Sequence, residues 1–127
     1  QKKAKKPQNI LGDTKLQKKK RKLRSLPKLK SIKLMDTCIT DVSLRLLLQN
    51  CPMASELYLN SCHQLVSPTL FGRHISHVIM NSCTSLKTPV FDCLTLTELD
   101  IRLCGNLHSS VEKQLADDCP KLTKILK

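Results

Sequence analysis

Aromatic residues are nearly absent from this sequence: Tyr58, Phe71 and Phe91 are the full set, and there is no Trp. Proteins that hold single-stranded nucleic acid stack its bases on aromatic side chains, so the body of this chain is poorly equipped for that work. Glycine is equally scarce, at three in 127 residues, and no Gly-rich phosphate loop can be drawn through them. Neither a GxSxG nor an HExxH motif occurs, which removes the usual hydrolase and metalloprotease signatures. There is no CxxC pair, so a zinc ribbon or finger has no anchor. No apolar run is long enough to cross a bilayer, and no charged-then-apolar leader opens the chain. Residue 1 is Gln rather than Met. Either the start has been removed or the chain is a piece of a longer protein, and the second is the expectation. The absences together point away from an enzyme: no cofactor, no metal, no membrane and no small-molecule substrate is implied.

The formal charge of +12 looks at first like a nucleic-acid signature, but it is unevenly spread. Residues 1–33 carry 14 of the 22 Lys and Arg and one acid, Asp13, for a net +13. Residues 34–127 hold 8 basic and 9 acidic side chains and are close to neutral. The basic character therefore belongs to an N-terminal arm. Residues 1–25 contain too few apolar side chains to offset the entropy of ordering them, so a disordered basic arm is expected there, ahead of a folded domain over 26–127. Within the arm, Lys18, Lys19, Lys20, Arg21, Lys22 and Arg24 resemble a monopartite nuclear-localisation signal. Such runs also serve as contacts to nucleic acid or acidic surfaces, or as plain solvated linkers. An importin or a nucleic acid is accordingly the partner considered for the arm, and the nucleus or cytoplasm the compartment.

The body repeats itself. Segments starting at Leu29, Ala54, Ile75, Leu96 and Leu122 align on L-x-x-L-x-L-x-x-C. Their spacings of 25, 21, 21 and 26 residues fall in the 20–29 range of leucine-rich repeats. Seven cysteines then sort into positions. Cys62, Cys83 and Cys104 follow the strand at one offset, while Cys51, Cys93 and Cys119 each sit three residues before a repeat start. Cys38 is one place out of register, with Thr37 in the ladder position. A ladder spreads thiols one per coil, which suits small buried side chains better than a metal site or a disulfide framework.

The segment LKSIKLMDTCITDVSLRLLLQNCP, Leu29 to Pro52, resembles the cysteine-containing leucine-rich repeats of F-box/LRR proteins, and the resemblance covers about residues 26–127. It implies an α/β leucine-rich-repeat solenoid of about four and a half repeats, with parallel strands on a concave face and helices or turns on the convex face. It implies a protein–protein interaction module, a substrate-recognition or adaptor domain of the ubiquitin-ligase type. No F-box pattern precedes the repeats in this sequence, so the F-box's own contacts are not implied. Val66-Ser67-Pro68 and Lys87-Thr88-Pro89 replace the family's Ile-Thr-Asp turn, and the 21-residue repeats lack room for a full helix. The alternative reading is a structural subunit of a nuclear or ribonucleoprotein assembly, with the arm on nucleic acid.

Strands are expected near 31–34, 56–59, 77–80 and 98–101, and a helix over about 42–50 capped by Thr40 or Asp41. Ser109 and Glu112 fit a capping box ahead of a second helix. The middle repeats should return through turns or short 3₁₀ segments, because Pro68 and Pro89 discourage helix interiors. His63, His74, His77 and His108 are expected at the surface; Cys62 and His63 are adjacent on a turn, which points them apart and denies them a nucleophilic pair. The binding face follows from alternation along the strands. Outward positions form three columns: Ser31, Glu56, His77, Glu98 and Lys124; Lys33, Tyr58, Ile79, Asp100 and Leu126; Met35, Asn60, Asn81 and Arg102. A protein partner is expected on this face, anchored by Tyr58 and Ile79 between Lys33 and Asp100.

Overall fold

The computed structural model describes residues 26–127; the arm over residues 1–25 lies outside the described residues. The chain forms, in order, β1 (Ser31–Lys33), α1 (Asp41–Gln49), β2 (Glu56–Tyr58), β3 (Thr69–Phe71), β4 (His77–Ile79), β5 (Val90–Asp92), β6 (Glu98–Asp100), α2 (Val111–Asp118) and β7 (Lys124–Leu126). The result is an α/β fold whose main sheet has the order β1-β2-β4-β6-β7. All its pairings are parallel and in one register, running Ser31, Glu56, His77, Glu98, Lys124 across the sheet. That parallel stack, one strand after another with a crossover between, is compatible with a solenoid.

Each strand is only three residues long, so it cannot stand alone; in every strand but β7 a buried central side chain holds it. Ile32, Leu57, Val78 and Leu99 are all buried, as are Leu59, Met80 and Ile101 just beyond the strands. Together with Leu44, Leu65, Leu70, Ile75, Leu86, Leu96, Leu115 and others they form a single core cluster running the length of the stack. Truncating any of the fully buried leucines to Ala should cost on the order of 2–5 kcal/mol, through lost transfer energy and the cavity left behind.

The first helix forms for local reasons that are visible in its sequence. Thr40 stands at the N-cap in extended conformation and its hydroxyl accepts from the Ser43 amide at 3.3 Å. Asp41 in the first turn suits the positive end of the helix dipole. Its carboxylate also accepts from the amides of Val66 and Ser67, both at 3.0 Å, which ties α1 to the next coil. Leu44 and Leu48, four residues apart, are the buried stripe.

The second helix departs from expectation. Its N-cap is Ser110, in helical conformation and with no side-chain cap bond, so the box of Ser109 and Glu112 does not form. His108 substitutes: its Nδ1 accepts from the Ser110 amide at 3.1 Å. The middle coils depart too. In place of turns or 3₁₀ segments, Thr69–Phe71 and Val90–Asp92 form a second, two-stranded parallel sheet on the return side. Pro68 and Pro89 stand one residue ahead of these strands, a position where a missing amide donor is harmless. The Pro68 carbonyl accepts from Val90 N at 2.9 Å, joining the two coils.

The turn after each main strand repeats with fixed geometry. Asp36, Ser61, Ser82 and Leu103 all have φ near +60° (58, 61, 60 and 60°). Each stands just before the ladder position held by Thr37, Cys62, Cys83 or Cys104. The left-handed residue turns the next side chain inward. Cys62 Sγ donates to the Leu34 carbonyl (3.0 Å), Cys83 Sγ to Leu59 (3.1 Å) and Cys104 Sγ to Met80 (3.2 Å), so each thiol reaches the preceding coil. Thr37 Oγ1 donates to its own coil's Leu34 carbonyl at 2.8 Å. A tight turn follows, in which the amides of Leu65, Leu86 and Leu107 donate to the carbonyls of Cys62, Cys83 and Cys104. All seven cysteines are free; Cys38 is exposed, Cys104 half-buried and the other five buried.

Candidate functional site

The parallel register brings the predicted columns side by side. Tyr58 pairs with Lys33 on one side and Ile79 on the other, and Ile79 pairs in turn with Asp100. Tyr58 and Ile79 are half-buried, and Lys33 is exposed. The Lys33 ammonium sits 5.5 Å from the centre of the Tyr58 ring, within cation–π range. The Tyr58 hydroxyl lies 3.5 Å from Glu56 Oε1. The apolar pair is thus bounded by a cation and a carboxylate rather than by more apolar surface.

The first column is polar and laced together. His77 Nε2 lies 3.6 Å from Glu98 Oε1, and Lys124 Nζ lies 3.6 Å from Glu98 Oε2. Ser76 Oγ and His77 Nδ1 are 2.8 Å apart. These groups are partly exposed, so each contact contributes little to stability; their role is to set the charge pattern beside Tyr58. In the third column Met35 is exposed, Asn60 and Asn81 are half-buried and Arg102 is exposed. The carbonyls of Asn60, Asn81 and Arg102 accept from Asp36, Ser61 and Ser82, which fixes the spacing of that column.

Asp100 is buried, against the expectation for its column. Its position in the column predicts an exposed carboxylate, yet it is 1% exposed. Its Oδ1 accepts from the Arg102 amide (3.1 Å) and Nε (3.0 Å), and its Oδ2 accepts from Arg102 Nη2 (2.7 Å) and Asn81 Nδ2 (3.0 Å). Hydrogen bonding from the Arg102 guanidinium, with Asn81 adding to it, holds the carboxyl down at about 2 despite its burial. Asp100 is therefore a brace for Arg102 and Asn81, and a charge reversal there tests the fold rather than the face. The signal available in the sequence was the i, i+2 pair Asp100–Arg102, whose side chains share one side of a strand.

The histidines do not converge. His63 Nδ1 pairs with Thr84 Oγ1 at 3.0 Å, His108 caps α2, and His74 is exposed. Among the described residues no group of three or more His, Cys, Asp or Glu is placed to hold a metal ion, and no helix is long and apolar enough to cross a membrane. The basic run Lys18, Lys19, Lys20, Arg21, Lys22 and Arg24 lies outside the described residues.

One feature on the opposite side of the molecule was not anticipated from the sequence. Two adjoining open pockets that share Asp92 and Leu94 form a groove where β3 and β5 meet the end of α2; one adds Phe71, the other Val90, Asp117 and Asp118. Leu94 is 67% and Val90 45% exposed. The sequence signal was there, two aspartates closing a helix next to Cys119-Pro120, but it acquires meaning only once β5 lies alongside. No protein-family model matches this sequence, and no curated protein matches it.

Proposed function

We propose that residues 26–127 form a leucine-rich-repeat domain of the cysteine-containing, F-box/LRR type. In this reading its main sheet, the concave face, recognises a protein partner, as a substrate-recognition or adaptor surface does. The observation that carries it is the registered pair Tyr58–Ile79, half-buried, with Lys33 over the ring and Glu56 at the hydroxyl. An aromatic with an apolar neighbour and a polar surround is the composition of an interface anchor. The ladder of thiols and the 21-residue middle coils support the repeat assignment.

The test is a partner-retention measurement with three proteins. Partners recovered on the immobilised chain and identified by mass spectrometry should fall in affinity by ~2 kcal/mol or more on Tyr58→Ala, in the range of interface anchors. Lys113→Ala, an exposed substitution on α2, should leave retention unchanged. Retention that ignores Tyr58 and follows α2 substitutions would place the interface elsewhere.

A further inference from the structure

The groove between β5 and the end of α2 is electrostatically unbalanced. Asp117 and Asp118 occupy the last turn of α2, which contains no basic residue. The C-terminal end of a helix carries partial negative charge and disfavours carboxylates. Asp92, exposed on β5, adds a third acid. Among the described residues, none of these three carboxylates lies within 4.0 Å of a Lys, Arg or His nitrogen, whereas Glu98, Asp100 and Glu112 all do. Arg73 borders the groove only at the Phe71 end. Between the acids lies exposed apolar surface at Leu94 and Val90. The shape of the requirement is a cationic segment with an occasional apolar side chain.

The chain contains such a segment. Residues 15–24 read KLQKKKRKLR, with Leu16 and Leu23 flanking the run Lys18–Lys22. Position favours it as well. Backbone bonds run along one edge of the stack, from Ser55 N to the Lys30 carbonyl, Ser76 N to Ser55, and Thr97 N to Ser76. Thr97 is thus three strand spacings from Lys30, about 14 Å at the usual separation of paired strands. Leu94 stands three residues before Thr97, and Leu26 four before Lys30. The stretch from Leu26 back to Lys18 can extend about 26 Å, enough to follow that edge into the groove. We propose that this chain's own segment Lys15–Arg24 docks in the groove, its cations on Asp92, Asp117 and Asp118 and one leucine against Leu94. Docking would cover the lysines that an import receptor or a polyanion needs, so release of the segment controls access to them.

The full-length chain allows a direct test. Zero-length carbodiimide cross-linking, with peptide mapping, should join lysines of the segment to Asp92, Asp117 or Asp118. In a mixture of light and heavy isotope-labelled protein the linked peptides should be of a single isotope. Tryptic cleavage within residues 18–24 should run roughly tenfold slower in the native chain than in the Asp92→Asn, Asp117→Asn, Asp118→Asn variant, the scale of three exposed ion pairs acting together. The two rates should converge at about 1 M salt, where such pairs are screened. Cross-links to Glu56 or Glu98 on the main sheet, cross-links of mixed isotope, or equal cleavage rates at low salt would each overturn the proposal; the cross-link map of the unmodified chain decides even if the variant folds poorly.

Discussion

Asp100 and Arg102, two residues apart on β6 and its exit, close a chelate in which one carboxylate receives the partner's amide, Nε and Nη2. Because Asp100 is buried and Arg102 exposed, the guanidinium covers the acid and carries its charge to the surface. Asn81, one coil earlier, completes the set.

The stability of the domain should therefore fall in acid through this residue. The Arg102 hydrogen bonds depress the folded carboxyl from 3.8 to about 2. A depressed acid stabilises the fold above its unfolded value, and that contribution disappears as pH falls from about 4 through about 2. The size is on the order of 2 kcal/mol. Denaturant titrations of the native chain and Asp100→Asn should differ at neutral pH and converge near pH 2. Equal pH dependence in both proteins would reject the assignment.

Thiol reactivity should follow burial. With reductant absent and the chain unfolded, all seven cysteines should titrate as free thiols. In the native state Cys38 and Cys104 should react ahead of the five buried thiols, which react only on opening; the hydrogen bond with Cys83 lowers the Cys104 thiol to about 7, whereas for Cys93 burial pushes the thiol up to about 12, which starves it of reactive thiolate. Three recovered bridges, or a fast-reacting Cys83, would contradict the ladder.

Cys83→Ala should cost more than Cys38→Ala. Cys83 is fully buried and donates to the Leu59 carbonyl, so its loss leaves both a small void and a weaker tie between coils, about 1–3 kcal/mol together. Cys38 is exposed, and its replacement should stay within about 0.5 kcal/mol. Chemical denaturation of the two variants distinguishes them.

Leu103 should be a site of gain. It has φ of 60° and is 78% exposed, so a branched-chain residue bears the left-handed conformation with little packing in return. Asn tolerates that conformation better. Leu103→Asn should raise stability by about 0.5–1 kcal/mol, read as an upward shift in Tm. A drop would mean that the exposed side chain holds contacts that its burial does not suggest.

What the sequence alone determined was whatever repeats at short range. The strand positions follow from the spacing of Ile32, Leu57, Val78 and Leu99, because each strand's central side chain must enter one core. Thr40 announces α1, since a hydroxyl ahead of an apolar stripe caps amides that have no other partner. The ladder offset of Cys62, Cys83 and Cys104 was legible for the same reason. Tertiary structure decided the rest. The strands at Thr69–Phe71 and Val90–Asp92 have no periodic signature of their own and exist because two coils 21 residues apart lie in register. Asp100 occupies the same alternating position as Tyr58 and Ile79, yet only the reach of Arg102 and of Asn81 from the neighbouring coil buries it. His108 became a helix cap because Ser110 took up helical backbone and could not offer its own side chain. Alternation states which way a side chain leaves the strand; what covers it depends on residues a full coil away, and that distance is set only when the chain closes on itself.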